Sequence, residues 1–302
     1  MKPRPFDYVR PDTVEEAVAL LAEYGDDARI LAGGQSLVPM LNLRLVDASV
    51  LIDISRIAEL DVIRNFSEAG EVDDAMQEPP PAAARGRLQV IENPRPHEKV
   101  EIGAAVTQNQ LMAWPQLAQK LPLVAAALPF VGHFQTRNKG TVCGSIAHAD
   151  PSAELPLALA VLEGEVVLRS QKGSRTLCAA QFQKDMLTTA RAPDEMVTAV
   201  RFPVTVGQGV AFREVARRHG DFAIIAVAAI ATDKWFSLGI GGLTGRPVVS
   251  GVRAEHHMPD WFETLLGQLE SYDDLHASAA MRRDLCRNLA PDVIAEAQRC
   301  AA

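Results

Sequence analysis

Two short stretches rich in glycine and small hydroxyl residues, far apart in the chain, constrain the fold more than any other feature. The first, Ala32-Gly33-Gly34-Gln35-Ser36-Leu37, follows a short apolar strand candidate, Arg29-Ile30-Leu31, and leads into a helix expected from Leu37 to about Leu43. The second, Gly140-Thr141-Val142-Cys143-Gly144-Ser145, precedes the run His148-Ala149-Asp150-Pro151. Glycine lets the backbone turn sharply and approach a ligand closely, and a helix start aims free N–H groups at whatever lies there. Taken singly, the first stretch is equally a plain tight turn or a cradle for an anionic group such as a pyrophosphate. Taken together, the two point to an extended diphosphate ligand held between two subdomains.

The surrounding pattern is mixed α and β. Thr13 and Glu16 offer a capping box, and Val14, Ala17, Val18 and Leu21 recur at helical spacing until Gly25. A strand is expected at Val50–Ile54. From Asn65 to Lys99 five prolines and many charges replace any periodicity. This segment reads as an exposed insertion, with a docking loop for a partner as the alternative. The fold resumes with a strand at Val100–Ala104, helical material from Thr107 to about Leu128, and a helix over Ser152–Leu162. A hairpin of Glu165–Leu168 and Thr176–Cys178 turns at Gly173-Ser174. Val197–Phe202, Val210–Val215, Phe222–Thr232 and Trp235–Ile240 read as successive strands of an antiparallel sheet. Helices close the chain, around Leu265–Leu269 and then at Ala277–Leu289 and Asp292–Ala301.

Composition narrows the function. The 302 residues are long enough for two or three folding units. Thirty Lys and Arg stand against 38 Asp and Glu, a net charge of −8, which disfavours a general nucleic-acid binder. The four cysteines (Cys143, Cys178, Cys286, Cys300) are too scattered to hold an iron–sulfur cluster of the usual four-thiolate kind. They also argue against a disulfide framework and for a reduced, cytoplasmic setting. The N-terminus shows no secretory signal, and the apolar runs near Leu121–Val131 and Phe222–Ala231 are too short to span a membrane.

Several motifs are decoys. Gly239-Ile240-Gly241-Gly242-Leu243-Thr244-Gly245 has Thr244 where a Rossmann fingerprint needs its third glycine, and Arg246-Pro247 follows where a helix should open. It reads as a strand end and turn. There is no P-loop, HExxH or GxSxG motif, and Glu255-His256-His257 reads as a solvated loop rather than a metal site. Any dinucleotide is therefore bound in a non-Rossmann manner. Asp150 would repel a phosphate, so its chemistry is to accept hydrogen bonds from a ribose hydroxyl, a flavin ring or the opposing backbone. His148 is either a structural or a catalytic histidine. Arg217-Arg218-His219-Gly220-Asp221-Phe222-Ala223 is either a charged turn before a buried strand or the border of a planar redox ring.

These residues resemble a known family. Ala32–Pro39, followed by Thr141–Pro156, is similar to the FAD-binding medium subunit of the molybdenum hydroxylases, the xanthine dehydrogenase and carbon monoxide dehydrogenase family. Arg218–Ala223 and His276-Ala277-Ser278-Ala279 resemble it too, so the likeness covers nearly the whole chain outside 65–99. The resemblance implies an α+β chain: a two-subdomain FAD-binding fold of the p-cresol methylhydroxylase/vanillyl-alcohol oxidase type, then a C-terminal domain of sheet plus helices. The expected divisions are 1–60, 61–178 and 179–302. By the same resemblance, Ala32, Gly33, Gly34, Gln35, Ser36 and Leu37, with Thr141, Cys143, Gly144 and Ser145, hold the FAD pyrophosphate. Asp150 helps to fix the adenosine or ribityl part, Phe222 lies against the isoalloxazine, and Arg218 and Asp221 line the ring's entrance. Cys143 stands where the family usually has the first glycine of Thr-x-Gly-Gly.

The resemblance also implies an electron relay with no catalytic acid, nucleophile or metal site of its own. The 2Fe-2S clusters are expected in a small partner subunit and the molybdopterin cofactor in a large one, in an (αβγ)2 heterohexamer. Two competing readings are a self-sufficient vanillyl-alcohol-type flavin oxidase and a flavin-free assembly subunit.

Overall fold

The computed structural model describes residues 2–67, 98–253 and 258–301. Three sheets carry the architecture; the first small-residue stretch follows a strand of the first sheet, and the second is bridged at Thr141 to Thr107, just beyond a strand of the second.

The first sheet is parallel, with Val50–Asp53 between Asp7–Val9 and Ala28–Leu31. Helix Val14–Tyr24 buries Val14, Ala17, Val18 and Leu21, the face its spacing predicts. Thr13 caps it by accepting the Glu16 N–H at 3.2 Å, and the Glu16 carboxylate accepts the Asp12 N–H at 2.8 Å. Gly25, at φ 51°, ends it.

The second sheet is antiparallel and five-stranded, in the order Ile63–Ser67, Glu98–Gly103, Met196–Pro203, Glu165–Ser170, Gly173–Cys178. Its middle strand comes from beyond residue 178, so the sheet crosses the division expected at 178/179. Asn65–Ser67 and Glu98–Lys99, expected to belong to the insertion, are paired strand residues; the rest of that segment, 68–97, lies outside the described residues, as do His256 and His257. On one face a charge ladder crosses the strands: Arg201 Nε donates to Glu101 at 2.7 Å, Arg64 Nε to the same carboxylate at 2.8 Å, and Lys99 Nζ to Glu165 at 2.6 Å. The hairpin pairs Ser170 with Gly173, which puts its turn at Gln171-Lys172, two residues earlier than expected.

The helical material after Thr107 is three helices rather than one: Gln108–Met112, Leu117–Lys120 and Pro122–Ala127. Pro115 and Pro122 lack the N–H that a continuous helix needs, and Pro122 instead occupies a first-turn position where none is required. Thr107 and Gln110 form a complete capping box.

The third sheet is a meander of Gly209–Val215, Ile225–Ala231, Trp235–Gly241 and Val248–Arg253. Every residue of Ile225–Ala231 is buried, because both faces are covered. Ala226, Ala228 and Ile230 join the large core shared with helix Glu154–Val161, whereas Ile225, Val227, Ala229 and Ala231 join a second core under helix Ala279–Cys300. An apolar run without alternation is the signature of such a strand. It begins at Ile225, not Phe222. Ala279–Cys300 is one helix where two were expected: Pro291 sits inside it, while Ala290, Val293, Ile294 and Ala297 pack on the sheet and hold the turns on either side. Gly242, at φ 79°, follows the strand Trp235–Gly241, so the Rossmann-like decoy is a strand end and turn.

Candidate functional site

The first small-residue stretch is a turn entering helix Leu37–Asn42. Gly34 has φ 69°, in the left-handed region that favours glycine, and Gln35 Nε2 braces the turn by donating to the Gly33 carbonyl at 2.9 Å. The Ser36 hydroxyl makes no capping hydrogen bond of its own. The second stretch is more helical than expected: Thr141 is the cap and Val142–His148 the helix, with Thr141 Oγ1 accepting the Gly144 N–H at 3.0 Å.

The two stretches touch. A Cβ on Gly33 would lie 2.1 Å from the Lys139 carbonyl oxygen and 2.7 Å from the Gly140 Cα. Gly140 is held from behind, donating to the Thr136 carbonyl at 2.7 Å and accepting the Gln108 N–H at 2.8 Å.

Beside this contact lies a cavity of about 460 Å³, in the range of small-molecule and cofactor sites. Ala32, Gly33, Gly34, Gln35, Ser36 and Leu37 line it together with Thr141, Cys143, Gly144, Ser145, Asp221 and Phe222. Phe222 is 55% exposed, an aromatic ring left open at the wall. The Cys143 thiol turns away into the core, donating to the Ile102 carbonyl at 3.3 Å, and burial pushes it well above the ordinary thiol range. The side chain that replaces glycine here therefore leaves the backbone face toward the cavity clear.

Two expected site residues are not in the wall. Asp150 Oδ1 accepts the Ser152 N–H at 2.8 Å and so shapes the turn before helix Glu154–Val161. The exposed Arg218 reaches the site only through Asp221, donating from Nε to Oδ2 at 3.2 Å.

The wall also contains His148, whose role the sequence left open, and residues that no motif singled out. Glu154, 3% exposed, opens helix Glu154–Val161, and burial raises its carboxyl to about 7. Burial also lowers the His148 imidazole, with Asp150 opposing. Arg29 and Arg191 also line the cavity. Arg191 donates to the carbonyls of Ala192 at 2.9 Å and Glu195 at 2.7 Å, and burial, then Arg29, lowers its pKa. Leu187 sits at φ 53°, its N–H held by the Ala149 carbonyl at 3.0 Å. Of these, only a left-handed Leu and a buried Glu are unusual, and neither property is visible without the fold.

The arrangement can hold a long ligand with an anionic middle and a planar end: glycine backbone and helix-start N–H groups at one stretch, two cations nearby, and an open aromatic beyond. No helix among the described residues is long and apolar enough to cross a membrane.

The family described as "FAD binding domain in molybdopterin dehydrogenase" matches residues 4–75 and 86–205. Subunit alpha of the 6-hydroxypseudooxynicotine dehydrogenase complex of Paenarthrobacter nicotinovorans is 37% identical over 233 residues, 77% of this chain and 69% of that one. The carbon monoxide dehydrogenase medium chain of Afipia carboxidovorans is 34% identical over 233 residues, covering 77% and 70%. Among solved structures, quinoline 2-oxidoreductase from Pseudomonas putida 86 superposes with a TM-score of 0.82 at 28% identity, covering 100% of this chain and 99% of the other. The chain belongs to the FAD-binding medium subunits of the molybdenum hydroxylases, and is an oxidoreductase subunit.

Proposed function

We propose that this chain is the electron-transfer flavoprotein of a heteromeric, cytoplasmic molybdenum hydroxylase. Electrons arrive from 2Fe-2S clusters in a small partner subunit, pass through FAD held here, and leave to an external acceptor. Substrate hydroxylation belongs to a large molybdopterin subunit, and the whole assembles as (αβγ)2. The observation that carries the proposal is the contact between Gly33 and Lys139-Gly140 beside the cavity. A side chain at Gly33 would collide with that backbone and force the two stretches apart, and with them the groups that a ligand's diphosphate can meet.

When bound, FAD supplies the ability to take electrons singly and to release them in pairs. The chain's own residues bind and orient it. Ala32–Leu37 grips the pyrophosphate through backbone N–H groups and the Ser36 hydroxyl, and Thr141–Ser145, whose Val142, Gly144 and Ser145 N–H groups already have partners, adds the Ser145 hydroxyl. Arg29 and Arg191 offset its charge, Phe222 packs against the isoalloxazine, and Asp221, held by Arg218, borders the ring's entrance. Asp150 acts by fixing the turn that brings Glu154 into the wall. The chain divides, in this reading, into two FAD-holding parts, 1–60 and 61–178, and a C-terminal part, 179–302, that lends a strand to the second sheet.

The test is to mix substrate with the purified chain and with the assembled complex. Bleaching of flavin absorbance in the complex alone supports the relay; turnover of small alcohols or aromatic compounds by the isolated chain would establish a self-sufficient oxidase instead.

A further inference from the structure

Behind the cavity wall lies a second carboxyl group that none of the expected roles uses. Glu214 is on strand Gly209–Val215, in a row with Ala226 and Gly241 on the two neighbouring strands. Residues paired in this way project to the same side of a sheet. Ala226 belongs to the core shared with helix Glu154–Val161, and a Cβ on Gly241 would lie 3.1 Å from the Pro151 carbonyl oxygen and 3.4 Å from Leu157. The row therefore faces the start of that helix, where Glu154 enters the cavity wall.

Glu214 Oε2 is buried without a hydrogen-bond partner, and among the described residues no cation forms an ion pair with Glu154 or Glu214. The charged groups on the neighbouring elements are committed elsewhere, acidic or held neutral; in the same cavity wall, Arg29 donates to the Asp26 and Ala28 carbonyls and Arg191 to those of Ala192 and Glu195. Arg213, the next residue on the strand, pairs with Asp292 and Glu296 of the C-terminal helix. Arg217 and Arg218 pair with Asp221. The turn before the helix brings Asp150, whose charge raises the Glu154 pKa further. The preceding helix ends at His148, whose burial favours its neutral form. The facing helix Pro122–Ala127 and strand Ile225–Ala231 carry no titratable side chain.

We propose that Glu154 and Glu214 act as a single proton-holding carboxyl pair in the cavity wall, Glu154 facing the ligand and Glu214 serving as a positioning residue behind it. Two unpaired carboxylates in one desolvated corner cannot both ionise cheaply, so the pair retains a proton, and a protonated carboxyl can donate a hydrogen bond. Burial raises Glu154 to about 7, and burial together with the charge of Glu154 raises Glu214 to about 8. Ionisation belongs to the pair as a unit. The inference rests on the cavity taking FAD: full ionisation would bring two negative charges to the wall of a site for a diphosphate.

The sign of the pH effect on the empty chain is fixed by linkage. Both carboxyls are raised in the folded state, so the folded chain binds more protons than the unfolded chain from about 4.5 upward. Their contribution to stability is complete below that pH and is lost as pH rises through 7 to 8.

The test uses the full chain, wild type and Glu214→Gln, with Glu154→Gln as the reciprocal variant. Thermal midpoints of the FAD-free chain are measured from pH 5 to 9, and FAD affinity at pH 6.5 and 8.5. The wild-type midpoint should fall with pH, and that of Glu214→Gln should fall less and exceed wild type at pH 9, a gain that loss of a merely structural contact would not produce. FAD affinity of the wild type should weaken about tenfold between the two pH values, from Coulomb repulsion in a partly desolvated site, and that of Glu214→Gln about threefold or less. Coincident midpoint profiles of wild type and both variants would overturn the pair. Failure of the wild type to bind FAD at either pH, with the midpoint profiles still diverging, would overturn the FAD reading and leave the pair standing.

Discussion

Replacing Gly33 by alanine probes the contact on which the site is built. The added methyl would lie 2.1 Å from the Lys139 carbonyl oxygen, more than 1 Å inside ordinary contact, and 2.7 Å from the Gly140 Cα. Both obstacles are backbone, so no side chain can swing aside, and Gly140 is itself tied to Thr136 and Gln108. Overpacking of this kind costs about 1–3 kcal/mol. Alanine recovers some of that by restricting the unfolded chain, about 0.4–1 kcal/mol. A net loss of about 1–2 kcal/mol lowers the thermal midpoint by several degrees for a chain of this size. Because the only relief is to part the two stretches, FAD affinity should fall about tenfold or more, the equivalent of about 1.4 kcal/mol. The assay is a titration of the full chain with FAD, followed by flavin fluorescence, alongside thermal unfolding. Gly267→Ala is the control, since a Cβ there meets nothing within 4 Å. A Gly33→Ala chain with FAD affinity within twofold of wild type and an unchanged midpoint would refute the reasoning.

Three further outcomes follow from the same geometry. Phe222→Ala should leave stability within about 1 kcal/mol, as the ring is largely exposed, but should weaken FAD binding and raise the fluorescence of bound flavin; unchanged fluorescence would remove Phe222 from the ring's surroundings. Arg282→Met should destabilise by about 3–5 kcal/mol in chemical denaturation, because the buried guanidinium donates to the Ile224 carbonyl at 2.6 Å, the Gly242 carbonyl at 2.7 Å and the Asp274 carboxylate at 2.5 Å; a loss below about 1 kcal/mol would contradict that network. In a thiol titration of the native chain, Cys178 and Cys300 should react promptly, while Cys143 and Cys286, buried and with burial holding their thiols protonated, should react only on unfolding. A third prompt thiol would be inconsistent with the core.

The features legible in the sequence were those enforced by local chemistry. Thr13 and Thr107 announce helix starts because a side-chain oxygen three residues before a free N–H has one evident use. The unbroken apolar run at Ile225–Ala231 announces a strand covered on both faces. Gly33 and Gly34 announce a sharp turn, which Gly34 makes in the left-handed region, and room for a ligand's close approach; what the structure places against Gly33 is the Lys139-Gly140 backbone. The remainder depends on contacts between distant residues. Met196–Pro203 pairs with Glu98–Gly103 and Glu165–Ser170, and nothing local in any of the three strands specifies that order. Pro291 stays within a helix because packing on the sheet outweighs a lost hydrogen bond. Cys143 looks like an obstruction beside Gly144 until the helix start at Val142 turns its thiol inward. Glu154 resembles an ordinary first-turn acid, and only the packing of its helix against the third sheet and the neighbouring helices makes it a buried one.

The most direct test of the central claim is the visible spectrum of the purified full chain after incubation with excess FAD and removal of the unbound fraction. The expected result is flavin absorbance retained at about one FAD per chain, released on acid denaturation, and lost in Gly33→Ala. A folded chain that stays colourless, or that holds flavin equally well after Gly33→Ala, would contradict the assignment of the cavity.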